Sequence, residues 1–210
     1  MSSGCPVSAI GRWLLSPLCP ATKYLFRRVF RVEVSGFENI PSGPCIVASN
    51  HRSHLDPPVL NSVFPEPLRF LAKEELFRVP IIGRLLPHMG AIPVRRGSGD
   101  LEVLELAIEL MHYGCKIGIF PEGTRANPGE FLKPKLGIGL LAVKSHKPVL
   151  PVYIEGTDKV FPRHAKLPKP GHPIRVVIGK AKVYSEEDSP RGYRIVATDI
   201  MESIKELARA

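Results

Sequence analysis

From residue 32 onward, short apolar runs alternate with longer amphipathic stretches. The runs at 45–48, 68–72, 91–94, 116–120, 149–154 and 174–178 are apolar apart from Arg69, Lys116 and Arg175. That pattern predicts strands buried on both faces of a sheet. Shorter strands are expected at 32–34 and 181–184. Helices are predicted between them. One spans 56–63, opening on Asp56 with Pro57 and Pro58 in its first turn. Lys73, Glu74 and Glu75 open another. Asp100 caps a third, in which Leu101, Leu104, Ala107, Ile108 and Met111 recur at helical spacing until Gly114 ends it. Two more span 137–143 and 191–208, the last with Ile195, Ile200, Ile204 and Leu207 on one side. The stretch 79–86 is apolar but interrupted by Pro80, Gly83 and Arg84, so it reads either as a buried helix or as a surface for apolar chains. Strands alternating with helices predict an α/β single domain over 32–210, with a mostly parallel central sheet flanked by helices. In such folds functional loops gather at strand ends.

Residues 1–31 follow another pattern. Ile10, Trp13, Leu14, Leu15 and Leu18, then Tyr24, Leu25, Phe26, Val29 and Phe30, are interleaved with Arg12, Lys23, Arg27, Arg28 and Arg31, and no acid is present. Pro17 and Pro20 divide the segment into two short helices. Neither apolar run reaches the ~20 residues that cross a bilayer. Arg12, and the proline after Cys19, fit a secretory signal poorly. The expectation is an N-terminal amphipathic two-helix segment at a membrane interface, with Trp13 and Phe30 turned inward and arginines on lipid headgroups. The alternative is that these helices simply pack on the domain.

Composition sharpens this picture in one respect. A net charge of +9 and a pI near 9.6 draw the surface to polyanions. There is no aromatic-and-basic nucleic-acid pattern, no zinc-finger spacing and no internal repeat, so lipid and phosphate are expected as partners rather than nucleic acid. Cys5, Cys19, Cys45 and Cys115 lack metal or redox spacing and read as reduced thiols in a cytosolic setting. Residues 162–173, rich in Pro, Lys and His, read as an exposed basic loop.

The chemistry concentrates in two loops. Asn50-His51-Arg52-Ser53-His54-Leu55-Asp56 links a predicted strand to a predicted helix. Its spacing lets the Asp56 carboxylate reach one nitrogen of His51, fixing the tautomer and making the other nitrogen a better base. Alone, such a pair is also a common capping interaction. Phe120-Pro121-Glu122-Gly123-Thr124-Arg125 follows another strand. Arg95, Arg96 and Arg125 are candidates for a phosphate site, because a guanidinium binds phosphate bidentately. Glu122, beside Arg125, is either a loop-bracing ion pair or an acceptor for a substrate hydroxyl. Ser53 lacks a Gly-x-Ser-x-Gly surround and reads as a loop hydroxyl. His51, His54 and Asp56 have metal-ligand chemistry, but three ligands on one short loop before Pro57-Pro58 make a metal centre the weaker reading.

Four blocks in order resemble the glycerolipid acyltransferase family, the lysophosphatidate-type acyltransferases. They are the His51-to-Asp56 block, Gly90-Ala91-Ile92-Pro93-Val94-Arg95-Arg96, the block from Phe120 to Arg125, and Val149-Leu150-Pro151-Val152-Tyr153-Ile154-Glu155-Gly156. The resemblance implies an O-acyltransferase without a resident cofactor, using acyl-CoA or acyl-carrier protein as co-substrate and a lysophospholipid, 1-acylglycerol 3-phosphate, as acceptor. It implies that His51 is the general base and Asp56 its orienting acid. Arg96 and Arg125 would hold the phosphate, Glu122 would accept from a glycerol hydroxyl, and Gly123 would let the backbone approach substrate. Family members often carry Asp where this chain has Arg95, which adds a cation and leaves the headgroup open. Another lysolipid acceptor, or a non-catalytic module that binds anionic lipid, are the alternatives. The implied location is the cytoplasmic face of the cell membrane, peripheral or monotopic.

Overall fold

Strand β2 (Ile46–Ser49) lies at the middle of the sheet and is buried along its whole length. Its side chains divide by alternation: Ile46 and Ala48 join one core, Cys45 and Val47 the other. A computed structural model describes residues 19–80, 82–87, 90–94, 100–165 and 167–210. Within them the other strands are β1 (Val32–Ser35), β3 (Leu68–Lys73), β4 (Ala91–Val94), β5 (Lys116–Ile119), β6 (Val149–Glu155) and β7 (Ile174–Ile178). The sheet order is β1-β7-β6-β2-β5-β3-β4. Every neighbouring pair is parallel except β6 with β7. The mostly parallel α/β expectation therefore holds. The segment 181–184 is not a strand: Lys182 alone bridges to Val149, at the end of β6 that β7 leaves unpaired.

The helices are α1 (Cys19–Val29), α2 (Asp56–Val63), α3 (Glu74–Phe77), α4 (Ile82–Leu85), α5 (Asp100–His112), α6 (Leu136–Ser145), α7 (Thr157–Val160) and α8 (Pro190–Leu207). On one face of the sheet, α5, α6 and α8 bury Leu104, Met111, Ile138, Leu141, Val196, Ile200 and Ile204. On the other, α2 buries Val59, Leu60 and Val63 against Val47, Leu150, Val152 and Ile154. A helix on each face of a parallel sheet is the arrangement that leaves no apolar face in water. A Cβ on Gly139 would lie 1.9 Å from the Tyr193 carbonyl oxygen, so α6 and α8 meet at backbone distance. Ser189 starts α8 by accepting the Gly192 N–H at 3.2 Å. Ile195 is exposed rather than core, and Val196 takes the inward place.

Helix α1 does two things. Lys23 Nζ donates to the carbonyls of Phe64 and Pro65 at 2.7 and 3.1 Å, closing the end of α2, and Phe26 and Phe30 pack on the domain. The inward turn expected of Phe30 is therefore toward protein. Tyr24, Leu25 and Val29 face outward. The other expected amphipathic helix, with Trp13, lies outside the described residues. Among the described residues no helix is long and apolar enough to cross a membrane. Cys45 is a free, buried thiol, whereas Cys115 is disulfide-bonded, which corrects the reduced-thiol expectation for that residue.

Candidate active site

The end of β2 carries the site. Asn50 is buried and makes a two-point clamp on β6: its Nδ2 donates to the Ile154 carbonyl at 2.9 Å and its Oδ1 accepts the Ile154 N–H at 2.8 Å. This pins the chain where it leaves the sheet. The next residue, His51, places Nδ1 2.7 Å from Asp56 Oδ2. The carboxylate is saturated. Asp56 Oδ2 also accepts the N–H groups of Arg52 and Ser53 at 2.7 and 2.8 Å, and Oδ1 accepts the Thr157 hydroxyl at 2.6 Å. Asp56 is 1% exposed at the start of α2. An ionised carboxylate only accepts, so His51 bears its proton on Nδ1 and leaves Nε2 bare. The imidazole side chain keeps 18% of its surface accessible. One ring face stacks on Phe120, with centroids 4.0 Å apart and planes 15° from parallel.

Glu122 is 1% exposed, and both of its oxygens are engaged: Oε1 accepts the His51 N–H at 3.0 Å and Oε2 the Leu132 N–H at 2.8 Å. Of the two expected roles, this geometry favours the loop brace. Its partners are backbone groups rather than Arg125. Gly123 has φ +68, the left-handed conformation that closes the turn, and its N–H bonds the Phe120 carbonyl at 3.0 Å. The Ala126 N–H returns to the His51 carbonyl at 2.8 Å, tying the two loops together.

Arg52 holds the floor. Its buried guanidinium donates to the Tyr153 hydroxyl and the Glu130 carbonyl, both at 3.3 Å, and lies 5.1 Å from the Phe131 ring centroid. Ser53 donates its hydroxyl to the Phe161 carbonyl at 2.9 Å and accepts the Leu55 N–H at 3.2 Å, a loop role as expected.

Arg125 is half-buried beside this loop, and its Nη1 is buried with no hydrogen-bond partner. Burial, then the charge of Arg163, pulls its pKa below the ordinary arginine range, and Asp56 opposes them. Burial, and then the charges of Arg125 and His51, push the His54 imidazole below its usual range. Among the described residues no group of three His, Cys, Asp or Glu side chains is arranged to hold a metal ion.

Of the expected site residues, His51, Asp56, Glu122, Gly123 and Arg125 come together in these two loops, and Arg95 and Arg96 lie outside the described residues. Three contributors were not anticipated. Thr157 stands one residue past the fourth block, Tyr153 inside it, and Arg163 in the basic loop. The burial of 149–154 pointed to the strand that carries Tyr153 but not to the direction of its side chain.

Comparison with known proteins identifies the family and the fold. The family model described as Acyltransferase matches residues 31–155. A 1-acyl-sn-glycerol-3-phosphate acyltransferase of Pseudomonas aeruginosa is 36% identical over 191 residues, covering 89% of this chain and 73% of that protein. A lyso-ornithine lipid O-acyltransferase of the same organism is 39% identical over 123 residues, covering 58% of this chain and 43% of that protein. The crystal structure of the 1-acyl-sn-glycerophosphate acyltransferase PlsC from Thermotoga maritima matches with a TM-score of 0.71 at 28% identity, covering 95% of this chain and 82% of that one. The chain spans about half the length of most curated relatives it matches. A family match over residues 31–155, on a fold that brings His51 and Asp56 together, places this chain in the acyltransferase family.

Proposed function

We propose that this chain is an O-acyltransferase of the membrane surface. It moves a fatty acyl group from the thioester of acyl-CoA or acyl-carrier protein to the free hydroxyl of 1-acylglycerol 3-phosphate, giving phosphatidate. The observation that carries this reading is the 2.7 Å contact of His51 Nδ1 with the saturated carboxylate of Asp56. Nε2 removes the proton of the acceptor hydroxyl as its oxygen attacks the thioester carbonyl. The tetrahedral intermediate collapses, the C–S bond breaks, and the departing thiolate takes the proton back from the imidazolium. No acyl-enzyme forms, and no cofactor is needed beyond the thioester co-substrate. Asp56 stabilises the transient imidazolium, and Phe120 and the Glu122 brace hold the ring for attack.

Arg125 supports a phosphate-bearing acceptor, because a buried unpartnered Nη1 suits an anion. Arg96 and Arg95 are proposed to complete the grip. Gly123, exposed at the turn, leaves room for substrate beside Glu122. The outward apolar side of α1 and the net charge of +9 support a peripheral or monotopic station at the cytoplasmic face of an anionic membrane. The test is transfer of a labelled acyl chain to lysophosphatidate from each donor. Wild-type protein is expected to form phosphatidate and His51→Ala is expected to form none while keeping its melting temperature. Transfer that survives His51→Ala would sink the mechanism.

A second acceptor class rests on the lyso-ornithine lipid O-acyltransferase similarity. Competing lysolipids in one assay separate the two.

A further inference from the structure

We propose that Arg163, on the turn after α7, faces Arg125 across the His54 side of the site and forms with it a two-armed seat for a phosphate monoester. The proposal rests on the acyl-transfer reading above and deepens it by naming the residue that selects a phosphate headgroup.

Arg163 lies outside the four sequence blocks, yet the fold ties its turn to the catalytic loop. Thr157, which donates to Asp56, opens the short helix α7, and the Phe161 N–H bonds the Thr157 carbonyl at 2.8 Å. The Phe161 carbonyl then accepts the Ser53 hydroxyl at 2.9 Å. The Phe161 ring sits 6.2 Å from the His54 ring, centroid to centroid. A 3.0 Å bond from the Ala165 N–H to the Pro162 carbonyl closes the turn that carries Arg163. Arg163 therefore hangs from the same anchors that orient Asp56, on an exposed turn open to substrate.

The electrostatics leave a place for an anion. After burial, the nearby charge of Arg163 is what lowers the Arg125 pKa, and that of Arg125 lowers the pKa of His54. The acid on which Arg125 could lean, Asp56, already receives His51, two backbone N–H groups and Thr157. Neither Arg125 nor Arg163 is ion-paired to a carboxylate among the described residues. Arg125 also keeps a buried Nη1 without a partner. Two adjacent guanidinium groups repel, and an unmet buried donor is costly. A phosphate monoester carries nearly two negative charges and three terminal acceptor oxygens, so it relieves both at once.

The experiment compares wild type with Arg163→Gln and Arg163→Lys. Loss of one charge-assisted contact predicts a KM for 1-acylglycerol 3-phosphate about tenfold higher in Arg163→Gln, with a much smaller change in kcat. Arg163→Lys is expected to fall between, because a point charge replaces a fork. The KM for a lysolipid without phosphate is expected to move far less. A rise of equal size for both lysolipids, no rise, or a rise confined to the acyl donor overturns the proposal. A second measurement does not depend on turnover. Glycerol 3-phosphate is expected to raise the melting temperature of wild type and not of Arg163→Gln. Equal protection of both proteins overturns the seat. Equal protection of wild type by inorganic phosphate overturns the headgroup assignment, leaving free phosphate as the ligand. If wild type acylates no lysolipid, the acyl-transfer reading fails by itself, and the melting test still decides on Arg163.

Discussion

The Glu122 carboxylate receives the backbone N–H of His51 at 3.0 Å, and its other oxygen receives that of Leu132 at 2.8 Å. One buried side chain thus holds the His51 loop against the segment that leads into α6. Glu122→Gln replaces one accepting oxygen with an NH2 group that faces an N–H donor. An unmet buried donor costs about 1–3 kcal/mol. We expect a lower melting temperature together with a lower kcat. If Glu122 instead serves a substrate hydroxyl, the variant will raise the acceptor KM and leave melting untouched. Calorimetry beside steady-state kinetics separates the two roles.

Asp56 depends on its donors as His51 depends on Asp56. Asp56→Asn keeps the shape but presents an amide to the imidazole and to two backbone N–H groups. The wrong tautomer is then favoured, and the loss in kcat is expected to be on the order of 10³–10⁴. Thr157→Val removes a single donor 2.6 Å from Oδ1 and leaves the His51 contact in place. Its expected cost is roughly tenfold in kcat, the worth of one hydrogen bond to a charged group. A Thr157→Val enzyme as active as wild type would show that the hydroxyl contributes nothing to orientation.

The imidazole also depends on a glycine of the neighbouring strand β5. A Cβ on Gly118 would lie 2.2 Å from the Phe70 ring. The Phe70 ring lies 5.8 Å from that of Phe120, which in turn stacks on His51 at 4.0 Å. Gly118→Ala must therefore displace Phe70, which neighbours the Phe120 ring stacked on His51. Overpacking of this kind costs about 1–3 kcal/mol. Phe70→Leu frees the space and is expected to recover part of the melting temperature in the double variant, though not the stacking. A double-mutant cycle measures this: strictly additive effects would show that the two residues are not coupled.

The sheet and the His–Asp pair were both readable from the chain because each is local. The central strands, buried on both faces, advertise themselves as apolar runs such as 45–48 and 149–154, and Asp56-Pro57-Pro58 marks a helix start within its own three residues. His51 and Asp56 share one loop. Thr157 and Arg163 were not readable, since only the pairing of β6 beside β2 brings their turn to that loop. Burial of Glu122 was also invisible, because a carboxylate in a loop reads the same whether its partners are backbone or substrate. The misplacement of Ile195 has a simpler cause. It stands five residues from Ile200, off the inward stripe that Val196, Ile200 and Ile204 trace at four-residue steps.

Cys45 offers a test of the central core by pH. Burial, against a smaller opposing effect of Lys116, pushes its thiol from 9.0 up to about 12. The folded protein keeps the proton while the unfolded chain loses it above about pH 9. The stability linked to this group is therefore full below pH 9 and is lost as pH rises toward 12. Cys45→Ala carries its own cavity cost, which does not vary with pH, and is expected to flatten the alkaline limb of stability. Native protein at pH 8 is expected to resist iodoacetamide at Cys45 until denaturant is added. Rapid native alkylation of Cys45 would contradict a sealed core.

The outward face of α1 provides the test of membrane attachment. Tyr24, Leu25 and Val29 are 71%, 60% and 45% exposed, while Phe26 and Phe30 on the other side pack on the domain. Arg28 is exposed among them. Isolated exposed apolar residues are ordinary, but three on one short cationic helix form a surface that a bilayer interface can bury. Burying one leucine contributes about 1.5–3 kcal/mol. Leu25→Asp is therefore expected to weaken binding to vesicles rich in anionic lipid by more than about tenfold. Melting is expected to change little, since Leu25 touches no core. Raising the salt concentration is expected to weaken wild-type binding as well, through screening of the basic residues. Co-sedimentation that is indifferent both to Leu25→Asp and to salt would mean that this helix does not seat the protein on the membrane.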